Sequence, residues 1–416
     1  MQWKALRLTL CAVVAVLTVS LFMGAAGAQT LTVLYSFTGN QDGNSPQAGL
    51  VLDKMGNMYG TTLVGGKSGN CQHGCGTVFR VTPSGNETVL YSFTGGMDGA
   101  SPSGRLIFDA RGNLYGTTIY GGNAQCNLGL QNGCGTVFEL TPSGQETVLY
   151  RFTGGKDGGN PMAGVVMDAM GNLYGTTLAG GAVTCPQGCG TVFKLTPRGK
   201  ETVLHSFNRA DGAYPEAGLI FDKKGNLYGT TSAGGKLQNA GTVFKLTPSG
   251  KETVLHSFPF GFTTTDGAQP RTGLVFDKRS SLYGTTSYGG DRGCPGGSGF
   301  GCGVVFKVTP SSDENVIYAF TGGVEAGPDG AWPSDLILDA NGNMYGTTSA
   351  GGVYGWGTVF KVTPTGQETV LHTFSGAPAD GVEPTAGLVL DASGNLYGTT
   401  AGGGTYGYGT VFKLVP

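Results

Sequence analysis

The sequence predicts an all-β fold, a seven-bladed β-propeller of four-stranded antiparallel blades whose ring is closed by the N-terminal strand. Three observations carry this. One unit recurs seven times at spacings of 51 to 62 residues. Each copy holds four short runs rich in Val, Leu, Phe, Tyr and Thr, bounded by Gly, Pro, Asp or Asn, which is how strands and tight turns read. The 78 glycines and 19 prolines among 416 residues keep step with the repeat, which argues for ordered turns rather than disorder. With only 12% charged residues, helix bundles and coiled coils are excluded.

Taken in order, residues 1–28 read as a secretory signal peptide. Lys4 and Arg7 precede an apolar run from Leu8 to Met23, and Ala26-Gly27-Ala28 supplies small residues for cleavage. The run is 16 residues long, short of the roughly 20 that a membrane-spanning helix needs. Residues 29–416 then form the propeller domain. TVLYSF or a variant begins at Thr32, Thr88, Thr147, Thr202, Thr253, Asn315 and Thr369. Each copy continues with DGxxP (Asp42, Asp98, Asp157, Asp211, Asp266, Asp329, Asp380), a run like AGLVLD, an xxGN turn, LYGTT or MYGTT, a Gly-Gly loop, and GTVFK.

The connections order the strands. A DxxGN turn joins AGLVLD to LYGTT and a Pro-Ser-Gly type turn joins GTVFK to TVLYSF, so both hairpins share one face and the two longer links share the other. AGLVLD, nearly continuous in apolar residues, is expected innermost. TVLYSF is then outermost, and residues 32–37 complete the blade formed by 386–391, 395–400 and 409–414, removing an open edge.

The string FTGGxDGxxPxAGLIFDxxGNLYGTTxxGG...GTVFKLTPSG, seen from about Phe93 to Gly144 and in six other copies, resembles the GloVer tandem-repeat family of exported bacterial proteins. The resemblance covers essentially all of residues 29–416. It implies a secreted repeat protein without an established activity, often carrying a C-terminal anchoring signal. This chain ends on a strand, so such an anchor is not expected here. More remotely, the strand pattern is similar to NHL-type propellers, which include binding modules and lyases, so fold alone leaves function open.

Eight cysteines of the domain fall as local pairs within Gly-Gly loops: Cys71 with Cys75, Cys126 with Cys134, Cys185 with Cys189, Cys294 with Cys302. Paired as disulfides they fit an oxidising compartment, periplasmic or extracellular, and each restricts the unfolded chain by about 2 to 2.6 kcal/mol. Cys71, His73 and Cys75 together form a metal alternative, but a closed zinc site wants four ligands and the other loops lack the histidine. Neither a metal nor a cofactor is expected.

Candidate functional residues are those that break the seven-fold pattern. His205, His256 and His372 occupy the position of Tyr35, Tyr91, Tyr150 and Tyr318, which favours a structural role. The DGxxP aspartates are expected to accept backbone hydrogen bonds in turns. Around the proline of DGxxP the first three copies carry Ser45, Gln47, Ser101, Ser103, Asn160 and Met162. The last four carry Tyr214 and Glu216, Gln269 and Arg271, Trp332 and Ser334, Glu383 and Thr385. Trp356 lies on the same face as Trp332, and Arg105 replaces the glycine of AGLVLD in the second copy. Aromatic faces beside carboxylates and guanidinium groups suit a sugar or peptide through stacking and charge-assisted hydrogen bonds.

The expected function is therefore a non-catalytic exported propeller, monomeric, that binds a glycan or an extracellular protein on its loop face. The alternative is an extracellular lyase or glycoside hydrolase acting on a polysaccharide, with Glu216 and Glu383 as acid and base; catalytic residues are otherwise unassigned. A net charge of −2 without a basic run gives no footprint for nucleic acid, and no membrane span is expected once the signal is removed.

Overall fold

The computed structural model describes residues 29–126, 128, 132–237, 240–259, 266–290, 294, 301–322, 329–376, 378 and 380–416. The expected signal peptide lies outside the described residues. Seven small antiparallel sheets form the blades, and among the described residues there is no helix. In blade 1 the order from the channel outward is Val51–Leu52, Met58–Thr62, Thr77–Val81 and Glu87–Ser92. Blades 2 to 6 repeat it, with inner strands at Ile107–Phe108, Val166–Met167, Ile220–Phe221, Val275–Phe276 and Ile337–Leu338.

Blade 7 is built from both ends of the domain. Val389–Leu390, Leu396–Thr400 and Thr410–Val415 are completed by Thr30–Ser36, which pairs from Thr30 with Val415 to Ser36 with Thr410. The expected closure is thus present. In every blade the outer pair carries a register shift at the leucine of TVLYSF, as between Val33 and Tyr35. Such a bulge adds twist to the outermost strand.

The last four letters of LYGTT answer to contacts in the blades. The Tyr59 hydroxyl donates to Asp53 of the preceding turn at 3.1 Å. Gly60 lies under the Phe79 ring, whose nearest carbon would be 2.7 Å from an added Cβ, and Gly116, Gly175, Gly229, Gly284, Gly346 and Gly398 lie under equivalent rings. Thr62 ties its strand to the next through the Thr77 hydroxyl at 2.8 Å. The first threonine crosses to the following blade: Thr117 donates to the Ala163 carbonyl, Thr176 to Ala217, Thr230 to Thr272, Thr285 to Ser334, Thr347 to Ala386 and Thr399 to Ala48.

These bonds explain why the inner ladder is two residues long rather than the six that AGLVLD offers. The carbonyl two residues before Leu50, and its equivalents, faces the neighbouring blade's threonine instead of a ladder partner. Proline before it has no N–H to give. The seams are filled by phenylalanines meeting edge to face, from Phe37 with Phe79 at 5.0 Å to Phe374 with Phe412 at 5.5 Å. Each apolar cluster accordingly draws side chains from two adjacent blades.

Candidate functional site

The loop face is set by a backbone feature common to all seven blades. The residue before the DGxxP proline is in the left-handed region: Ser45, Ser101, Asn160, Tyr214, Gln269, Trp332 and Glu383 have φ between 53° and 58°. Proline normally drives its predecessor to extended backbone, and bulky residues seldom take positive φ. The conformation is held from outside. Each of these N–H groups donates to the residue preceding the third-strand glycine of the previous blade, as Ser45 to Tyr408, Tyr214 to Cys189, Trp332 to Cys302 and Glu383 to Trp356. The backbone is therefore symmetric, while the side chains are small in three blades and large in four.

The four disulfides are present, each within its own loop. They cover the next link: an added Cβ at Gly95 would lie 2.7 Å from the sulfurs of both Cys71 and Cys75. Trp356 takes the same place over Gly376, with its Nε1 3.0 Å from an added Cβ, and Tyr408 does so over Gly39. Trp356 keeps 44% of its surface exposed and Trp332 43%. Although the two tryptophans share a blade and a face, they stand at its two different seams, and no ring contact between them is seen. Trp356 neighbours Glu383; Trp332 neighbours the Cys294–Cys302 pair.

The DGxxP aspartates are anchors. Asp42 accepts from the Tyr35 hydroxyl at 2.9 Å, the Thr38 N–H at 2.7 Å and the Thr38 hydroxyl at 2.6 Å. His205, His256 and His372 face Asp211, Asp266 and Asp380 at 3.2 to 3.3 Å in the tyrosine's place. A glutamate from the next outer strand packs nearby. Burial, and then the Asp42 charge, pushes Glu87 up to about 7, and Glu146, Glu201, Glu252, Glu314 and Glu368 are raised likewise. One carboxylate oxygen of each of these glutamates is buried without a hydrogen-bond partner.

The central channel encloses about 630 Å³ and takes lining residues from all seven blades. Its wall is a ring of inner-strand glycines, Gly49, Gly164, Gly218, Gly273 and Gly387, broken by Arg105 in blade 2 and Asp335 in blade 6. Asp335 is absent from the sequence-based candidates because blade 6 is one residue short. Pro333-Ser334-Asp335-Leu336 stands where blade 1 has Pro46-Gln47-Ala48-Gly49-Leu50, so counting forward from the proline misplaces it. Counting back from Leu336 would have found it.

Around the ring, Glu216 and Arg271 also line the channel and form an ion pair at 3.7 Å, and Arg271 donates to Gln269 at 3.1 Å. Glu383 is exposed on the loop face and is not among the channel-lining residues. The candidates therefore form two groups. Gln269, Glu216 and Arg271 are joined at the channel, which Arg105 also lines, whereas Tyr214, Trp332, and Trp356 with Glu383 mark three separate seams of the loop face. Among the described residues His256, Asp266 and Glu314 are the group spaced for a metal ion, with ligand atoms within 4.8 Å of one another. The repeat supplies the same trio of positions with His205, Asp211 and Glu252, and with tyrosine for histidine at four other seams, so the arrangement reads as the seam anchor.

Fold and site together define a seven-bladed propeller with an asymmetric loop face and a charged channel. The chain belongs to the Gloeobacter/Verrucomicrobia repeat family, whose profile matches residues 20–128, 125–295 and 294–416. No curated protein matches the chain. Among solved structures it is similar to virginiamycin B lyase from Staphylococcus aureus at 14% identity and a TM-score of 0.55, covering 93% of this chain and 99% of that one. A streptogramin B lyase structure is similar at 14% identity and a TM-score of 0.55, covering 93% and 97%. At such identity the likeness shows the fold alone. Among the described residues no helix is long and apolar enough to cross a membrane.

Proposed function

We propose that the protein is an exported, non-catalytic binding propeller that holds a glycan on its loop face over blades 4 to 7. The carrying observation is the retention of Tyr214, Gln269, Trp332 and Glu383 at a left-handed position that Ser45, Ser101 and Asn160 fill in the other blades. The left-handed conformation costs about 1 to 2 kcal/mol at any residue with a Cβ, eased for asparagine, and Ser45 and Ser101 adopt it as Trp332 does, so the fold itself does not ask for a large side chain there. Large side chains at a position where the fold accepts serine are the ones free to meet a ligand. The exposed faces of Trp332 and Trp356, with Glu383 beside Trp356 and Gln269 one seam before Trp332, suit the alternating apolar and hydroxyl surfaces of a sugar chain. Four disulfides support an oxidising compartment for the folded protein.

Affinity electrophoresis through gels holding soluble polysaccharides tests this. Trp332→Ala and Tyr214→Ala should weaken retardation by roughly three- to tenfold, the scale of one aromatic stack, and Ser45→Ala and Ser101→Ala should not. Equal sensitivity in all blades, or capture of a protein where no polysaccharide binds, would overturn the glycan reading. Release of product from a polysaccharide, lost in Glu216→Gln, would make the protein an enzyme instead.

A further inference from the structure

The channel glycines are a close-approach ring, and their two replacements are opposite charges. Arg105 lays its aliphatic stem over Gly49 of blade 1, with Cδ 3.5 Å from where a Cβ would stand. Asp335 reaches the other way over Gly387 of blade 7, with its own Cβ 2.7 Å from an added one. Gly49 and Gly387 are adjacent, the Gly387 carbonyl lying 3.3 Å from an added Cβ at Gly49. The two charged groups thus approach one seam from opposite sides, and no ion pair within 4 Å joins them.

Their remaining valences are open. Asp335 Oδ1 accepts the Gly273 N–H at 2.6 Å. Among the described residues the Arg105 guanidinium has no hydrogen-bond partner. Both side chains are solvent-accessible within the channel, yet the surrounding wall lowers the guanidinium from its ordinary value, with Asp335 opposing. The same enclosure raises the Asp335 carboxyl, with the Gly273 N–H and Arg105 opposing.

The inner segment that carries Arg105 also sits unevenly between its two neighbours. An added Cβ at Gly164 would strike the Arg105 carbonyl, and one at Gly104 would strike the Gly164 backbone. Blade 2's inner segment is thus pressed against blade 3. Thr61, whose six counterparts each reach the next blade, is buried without a partner. The five donors of a guanidinium that faces the channel without a protein partner are free to hold an anion. Asp335 opposite disfavours a dianion and favours a ligand that also donates.

We propose that the channel between Arg105 and Asp335 is a binding site for a small carboxylate bearing a hydroxyl or ammonium donor, its carboxylate on Arg105 and its donor on Asp335. Such chemistry comes from a sugar acid or from an amino acid. The site is separate from the loop face and does not depend on glycan binding there.

Calorimetric titration of the full protein with D-galacturonate and with L-glutamate distinguishes the sources, with acetate, D-galactose and inorganic phosphate as comparisons. At least one of the first two should bind, more tightly than all three comparisons. Arg105→Gly and Asp335→Gly, which install the residue five blades already have, should each weaken it at least tenfold, and Trp332→Ala should not. Arg105→Lys, keeping the charge but not the fork, should fall between. Binding of neither acid, tighter binding of phosphate, or an unchanged affinity in Arg105→Gly overturns the proposal. If Arg105→Gly fails to fold, Arg105→Lys and Asp335→Gly still decide it.

Discussion

The seams between blades and the loop face above them are built on the same seven-fold backbone but follow different rules. At the seams, the glycine and second threonine of LYGTT and the phenylalanine pair recur with fixed partners, and the first threonine does so in six of seven blades. On the loop face the backbone is equally fixed, with φ of 53° to 58° before every proline, yet the side chains range from Ser45 to Trp332. Repetition of a conformation therefore does not require repetition of a residue. Where the backbone is held by a neighbour's carbonyl, the side chain is free to vary, and variation marks what the fold does not need.

The sharpest way to break the seam is to add one methyl group. Gly164→Ala drives a Cβ into the Arg105 carbonyl, whereas Gly218→Ala at the same position of blade 4 meets nothing nearer than 3.9 Å. Urea unfolding should show a loss of about 2 to 3 kcal/mol for the first and within about 0.5 kcal/mol for the second. Similar losses would mean that the seams are alike after all.

A smaller effect separates the threonines. Thr176→Val removes a bond to the Ala217 carbonyl at 3.0 Å and leaves that acceptor buried, at a cost of about 1 to 3 kcal/mol. Thr61→Val removes a hydroxyl that has no partner and should be neutral or stabilising in the same unfolding experiment. The loop face gives the opposite sign. Trp332→Asn relieves a left-handed bulky residue and should raise stability by about 0.5 to 1 kcal/mol while weakening glycan retention. A destabilised Trp332→Asn would place that ring with the seams.

The finest effect, per site, is in pH. Glu87, Glu146, Glu201, Glu252, Glu314 and Glu368 are raised to about 7 in the folded chain, burial coming first among the causes. Their contribution is full below the ordinary glutamate range near pH 4.5 and is lost as pH rises through about 7. At the opposite end, burial works to raise Asp53, Asp168, Asp222, Asp339 and Asp391, but bonds from the turn asparagines outweigh it and hold them below their ordinary range. Their contribution fades only as pH falls below that range. The melting temperature should therefore be higher at pH 5 than at pH 8, and Glu368→Gln should flatten part of that slope. An equal melt at both values would remove the seam carboxyls from the account.

Blade number, strand order and ring closure were legible because each copy announces its strands by turns and its edges by pairing demand. Tyr35 and its histidine counterparts were legible as structural for the same reason, being repeated. The left-handed position was hidden, since Ser45 and Ser101 give no sign of positive φ and proline argues against it. Asp335 was hidden by a one-residue deletion. The tryptophans looked like one cluster because they are near in sequence, but each loop docks on a different neighbour, which separates them by a blade.

Closure by Thr30–Ser36 against Thr410–Val415 also sets a timetable. The first strand of the domain to be synthesised pairs only with the last, so it waits, apolar and with its hydrogen-bonding edge unsatisfied, while six complete blades are made. Joining such distant segments is entropically slow. The ring therefore keeps one unsatisfied edge until its last strand is in place, and that exposure ends in a single event.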